Sequence, residues 1–134
     1  MTHPRPGRRL AAITFAAFAA ATAHAATPAQ LLSGYTAPSG AAASPARGQQ
    51  FFTTTHGREW SCASCHGQVP TGSGRHAGTG KPIAALAPDA SAGRFTDPAK
   101  VEKWFRRNCK DVAARECTPA EKADVLAWLL TLKP

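Results

Sequence analysis

The sequence predicts an all-α domain. Three observations carry this: four helix-entry signals in which a hydroxyl or acidic cap precedes proline, apolar residues recurring at helical spacing behind them, and no segment that alternates like a strand. Thr27-Pro28 opens a short helix through Leu31 and Leu32, and Gly34 to Ala43 reads as a linker. Ser44-Pro45 opens the second, "SPARGQQFFTT", with Gly48 and Phe52 four residues apart on one face. It runs out before Cys62. Gly67 to Gly80 is rich in Gly, Ser and Thr and reads as loop, and the two prolines of "KPIAALAPDA" forbid a long helix. Asp97-Pro98 opens the third helix, whose apolar stripe is Val101, Trp104 and Phe105. Thr118-Pro119, with Glu121 at the capping-box position, opens the fourth, with Val125, Trp128, Leu129 and Leu132 as its buried stripe.

The first 25 residues stand apart. A basic start with Arg5, Arg8 and Arg9 passes into an Ala/Phe/Ile-rich stretch, Leu10 to Ala23, and Ala23-His24-Ala25 is a small-x-small cleavage site. Residues 1–25 are therefore expected to be a signal peptide and residues 26–134 one exported domain, placed in the periplasm. Ordinary secretion is preferred over a twin-arginine route, with which Arg8-Arg9 is compatible. The apolar stretch is short of the roughly 20 residues of a spanning helix, so the exported protein is not expected to be membrane-embedded. Removing 25 of 134 residues leaves 109, enough for one small core. Three of the 16 Lys and Arg go with the signal while all 8 Asp and Glu stay, leaving a net charge near +5. The basic residues are scattered without interleaved aromatics, which argues against nucleic-acid binding. Lys100, Lys103, Arg106 and Arg107 are candidates for docking an acidic partner, or simply a solvated face.

All four cysteines fall in the exported part, where thiols need a partner. "WSCASCHGQV" places Cys62 and Cys65 two residues apart, with His66 directly after. Zinc would need a second ligand pair, but Cys109 and Cys117 have disulfide-like spacing; a thioredoxin-type pair would need a βαβ setting that is missing. The histidine decides. Cys-x-x-Cys-His is the attachment signature of haem c, the two thiols adding to the vinyl groups and the histidine binding iron. With Cys62 and Cys65 so used, Cys109 has only Cys117 to pair with.

The second iron ligand is less constrained. An electron-carrying cytochrome of this size commonly uses methionine, yet Met1 is the chain's sole methionine and leaves with the signal. The candidates are His56, His76, a lysine, an oxygen or amide donor, water, or nothing. His56 and His76 also read as solvated loop histidines. Asn108 continues the stripe of Val101, Trp104 and Phe105 and directly precedes Cys109, so its amide is directed inward; its plainer reading is a residue that ends the helix.

Helices around one Cys-x-x-Cys-His resemble the small monohaem cytochrome c fold, in which early and final helices cross at a glycine–aromatic contact that Gly48, Phe52 and Trp128 are placed to make. From Thr27 to Leu132, "TPAQLLSGY", "SCASCHG", "IAALAP", "RFTDPAKVEKWFRRNC" and "RECTPAEKADVLAWL" resemble, in order, the sphaeroides haem protein family of oxygen-binding monohaem cytochromes c. The resemblance implies that Asn108 ligates ferric iron opposite His66 and that Cys109 and Cys117 form a disulfide. It implies also that the asparagine leaves on reduction to admit oxygen, carbon monoxide or nitric oxide, and that a dihaem cytochrome c supplies electrons. The Gly67–Gly80 stretch matches only loosely. Two functions follow: a ligand-binding haem protein that also transfers electrons, or an outer-sphere electron carrier with histidine, His56 or His76, on the second face. No catalytic residue is assigned.

Overall fold

The computed structural model describes residues 1, 25–90 and 93–133. The expected signal segment, apart from Met1 and Ala25, lies outside the described residues. Five α-helices carry the described chain: α1 (Pro28–Ser39), α2 (Pro45–Thr53), α3 (Cys62–His66), α4 (Pro98–Ala113) and α5 (Pro119–Leu129). Between α3 and α4 lie a 3-10 turn at Pro88–Ala90 and a two-residue antiparallel ladder. In the ladder β1 (Gly74–Arg75) pairs with β2 (Pro82–Ile83), Gly74 opposite Ile83.

Each of the four expected entry signals starts a helix. The side chains of Thr27, Ser44, Asp97 and Thr118 accept the N–H three residues on, from Gln30, Arg47, Lys100 and Glu121, and Gln30 and Glu121 answer with a bond to the cap backbone. The stretch expected to be a linker is helical as far as Ser39 and ends at Gly40 in the left-handed region (φ 67°). Packing overrides the local signal of Gly34 and Pro38: Leu31, Leu32 and Tyr35 lie against the core, and the Tyr35 hydroxyl donates to Glu102 Oε2 at 3.0 Å.

The core is built on α5, which is buried from Lys122 through Leu129 rather than along one stripe, because α1 and α2 both pack on it. Leu132, expected in that stripe, is only half-buried. Two charged residues go inside with compensation. Lys122 Nζ meets Glu102 Oε1 at 2.6 Å, and Asp124 accepts from Arg47 Nε at 2.7 Å and the Ser44 N–H at 2.6 Å. Burial opposes the Glu102 charge, but the hydrogen bonds from Lys122 and Tyr35 outweigh it and hold the carboxyl below its ordinary range.

The α2–α5 crossing has the expected form. Gly48 is buried, and a Cβ there would fall inside the Asp124 carbonyl group, so the two backbones meet with no side chain between them. One turn on, Phe52 and Trp128 pack with ring centroids 5.0 Å apart. Helix α4 departs from expectation in one respect. Val101 and Phe105 pack against the core, Phe105 edge-on to Tyr35 at 5.6 Å, but Trp104 is 48% exposed with the Arg107 guanidinium 5.7 Å from its ring. The stripe was expected to point inward throughout; Trp104 lies on its solvent edge.

Candidate haem site

Helix α3 is little more than one turn, started by Ser61, whose N–H donates to Ser64 Oγ at 3.0 Å, and ended by Gly67 at φ 82°. One turn is enough: residues three and four apart share a helix face, so Cys62, Cys65 and His66 project from the same side. Ala63 is buried in the core cluster beside them, and the Phe52 ring of α2 lies with its centroid 6.1 Å from that of His66. Burial pushes the Cys62 thiol up to about 11, the setting of an apolar rather than an ionised sulfur. Burial first, and the charge of Arg94 second, lower the His66 pKa and favour the neutral imidazole that can ligate iron.

The segment from Gly67 to Gly80 was expected to be loop, and apart from the two residues of β1 it is. It is nevertheless fastened to the motif. Gly74 lies so close that a Cβ would overlap the Cys65 carbonyl, and the Ala77 N–H donates to Cys65 Sγ at 3.2 Å. His76 lies edge-on to Trp60 at 6.4 Å, and the N–H groups of Leu86 and Ala87 both donate to the Pro70 carbonyl, at 3.0 and 3.1 Å. Apart from the His76–Trp60 ring contact, these run through backbone atoms and sulfur, which carry no signature in residue type. Gly74 and Ala77 were accordingly missed by sequence reasoning, as was Arg94, whose charge acts on His66 across a separation in the chain that no local pattern marks.

Both histidines considered as second ligands are engaged locally. His56 stacks on Phe51 at 4.0 Å with Nε2 at 2.8 Å from the Phe51 carbonyl oxygen, and His76 Nδ1 accepts the Thr79 N–H at 3.2 Å. Asn108 is half-buried and is not a helix end. α4 continues five residues beyond it to Ala113 and terminates on Ala114 in the left-handed region (φ 58°), which removes the reading of Asn108 as a terminator. Its side-chain amide makes no hydrogen bond among the described residues.

Cys109 and Cys117 form a disulfide with Cα atoms 5.6 Å apart, both nearly shut off from solvent, joining the last turns of α4 to the residue before the α5 cap. Replacing both by alanine should cost about 2–4 kcal/mol in denaturant unfolding. The visible spectrum of that variant tells whether the bridge also positions Asn108: an unchanged spectrum would make it a staple only.

The donor set fits a covalently held haem better than a bare ion. Cys62 and Cys65 are free thiols on one face, the second cysteine pair is spent on the disulfide, and no cluster of three His, Cys, Asp or Glu is gathered among the described residues. His66 Nδ1 is buried without a hydrogen-bond partner among them, so the ring is not tied up elsewhere in the protein.

Comparison with known proteins agrees with this geometry. Residues 38–129 match the family described as Domain of unknown function (DUF1924). The chain is 53% identical over 107 residues to cytochrome c-type protein SHP of Cereibacter sphaeroides, covering 77% of this chain and 82% of that protein. It is 46% identical over 80 residues to cytochrome c'' of Methylophilus methylotrophus, covering 60% of this chain and 56% of that protein. Among solved structures it is similar to oxidized SHP, described as an oxygen binding cytochrome c (TM-score 0.76, 49% identity, 81% of this chain and 99% of that one). It is also similar to oxidized cytochrome c'' (TM-score 0.72, 38% identity, 80% of this chain and 95% of that one). The chain thus belongs to the sphaeroides haem protein family, with the all-α fold and the single covalently attached haem c of a small monohaem cytochrome c.

Proposed function

We propose that this protein is an exported haem protein that binds a diatomic ligand, oxygen or a chemical analogue of it, when reduced, and that it exchanges electrons with another cytochrome. Cys62 and Cys65 would hold the haem through thioether bonds, His66 would ligate the iron, and Asn108 would be the second ligand, leaving on reduction. The bound haem supplies a one-electron redox centre at which a small ligand can bind. The protein's part is to place the donors and to choose their strength.

The observation that carries this reading is the position of Asn108: inside α4 rather than at its end, next to a disulfide-anchored residue, in a domain with no methionine to compete. A neutral amide is a hard, weak donor, better suited to ferric than to ferrous iron, so reduction alone loosens it. Support comes also from the solved relative described as an oxygen binding cytochrome c. Residues 1–25 would be the signal peptide and 26–134 the domain it delivers to the periplasm, with a dihaem cytochrome c as the electron donor.

The test is the optical spectrum in both oxidation states, with and without carbon monoxide. The ferric protein should be high-spin and lack the far-red sulfur-to-iron band, and the reduced protein should take up carbon monoxide rapidly without denaturant. Acid–acetone should leave the haem on the polypeptide. A reduced protein that refuses carbon monoxide would replace this reading with a histidine-ligated electron carrier using His56 or His76.

A further inference from the structure

Arg94 is an arginine whose Nε is buried with no hydrogen-bond acceptor among the described residues, a property it shares there only with His66 Nδ1. Nε–H is an obligatory donor, and shutting it off from water unpaired costs free energy comparable to a lost hydrogen bond to a charged group. No carboxylate of the described chain lies within ion-pair distance of it. Glu102 is taken by Lys122 and Tyr35, Asp124 by Arg47, and Glu121 by Arg115. Burial lowers the Arg94 pKa, the signature of a cation without a compensating anion, and its charge is felt at His66.

The backbone holds it there at a cost. Arg94 stands between two residues in the left-handed region, Gly93 at φ 77° and Phe95 at φ 61°. A bulky aromatic in that region is a genuine outlier, held there against its own preference. The Thr96 hydroxyl closes the turn on the Gly93 carbonyl at 2.6 Å, and the Phe95 ring, 8% exposed, is fixed in the core cluster with Phe52 and Leu126. The side chain preceding Phe95 is thereby directed to the neighbourhood of His66 rather than left to solvent.

We infer that Arg94 binds a carboxylate of the haem, its guanidinium pairing with one of the two propionate groups that the porphyrin carries. The inference rests on the haem reading above. A propionate supplies both things Arg94 lacks, an acceptor for the buried Nε–H and a negative charge for the guanidinium, and planar carboxylate recognition is what an arginine fork does best. The strained turn is then a cofactor-seating device. With its positive charge beside the haem, Arg94 also disfavours the more positive, ferric state.

The experiment is resonance Raman spectroscopy and potentiometry on haem-loaded wild type, Arg94→Gln and Arg94→Lys, with Arg58→Gln as a control for loss of an exposed charge. Arg94→Gln should shift the propionate bending mode and lower the midpoint, raising the oxidised-to-reduced ratio at fixed ambient potential on the order of tenfold. Arg94→Lys keeps the charge but not the planar donors; it should hold the midpoint near wild type while still shifting the mode. A propionate mode at the wild-type frequency in both variants overturns the inference, as it does in Arg94→Lys alone if Arg94→Gln fails to assemble. Wild-type protein without covalent haem would instead defeat the reading on which it rests.

Discussion

Asn108→His should give a protein that is low-spin in both oxidation states and whose reduced form no longer takes up carbon monoxide. Imidazole is a borderline donor that serves ferrous as well as ferric iron, so the ligand would no longer leave on reduction. Asn108→Ala should do the reverse. Its ferric spectrum should move toward water ligation while uptake by the reduced form stays intact, since on the proposed reading the wild-type amide would already have departed in that state. Stability discriminates as well. Asn108 lies within α4, where alanine is the better helix former by up to about 0.7 kcal/mol, so the alanine variant should unfold within about 1 kcal/mol of wild type. A ferric spectrum unchanged in both variants would mean that Asn108 does not touch the iron.

Gly48→Ala should be strongly destabilising. The added Cβ would coincide with the Asp124 carbonyl of α5, and since the obstacle is backbone, no side-chain rotation can relieve it. The helices must separate, loosening Phe52 against Trp128 and the Asp124 pairing with Ser44 and Arg47. The expected loss is roughly 3 kcal/mol, or a Tm about 10–20 °C lower for a domain of this size. Gly34 is the control. It lies inside α1 with nothing near the position a Cβ would take, so Gly34→Ala should stabilise by about 0.5–1 kcal/mol in the same thermal or guanidinium unfolding measurement. Equal effects at the two glycines would contradict the tight crossing.

What was legible from residues alone were features whose physics is local. Thr27, Ser44, Asp97 and Thr118, each before a proline, mark helix starts because the cap and the fixed φ act within one turn. The haem motif is a spacing within five residues. Gly48, Phe52 and Trp128 could be paired because a glycine and aromatics at helical spacing are themselves a pattern. What was not legible depended on contacts between distant segments. Helix α1 outlasts Gly34 and Pro38 because Tyr35 reaches Glu102, and α5 is buried all round because Arg47 and Glu102 arrive to neutralise Asp124 and Lys122. The Gly67–Gly80 segment is held by an N–H to sulfur bond and a bare backbone approach, neither of which depends on residue type in a readable way. For Asn108 a signal was present: Val112 follows Cys109 at helical spacing and is buried with it, the mark of a helix that has not yet ended.

Arg47 and Asp124, joined across the α2–α5 crossing, are 77 positions apart in the chain, and everything that prepares the haem lies between them. A chain emerging from its N-terminal end cannot form this contact until nearly all of it has appeared. Cys62, Cys65 and His66 therefore all precede, in chain order, the segment that completes the crossing. The crossing is a long-range contact that forms only once α5 is present, so the helix that abuts the motif is fixed late.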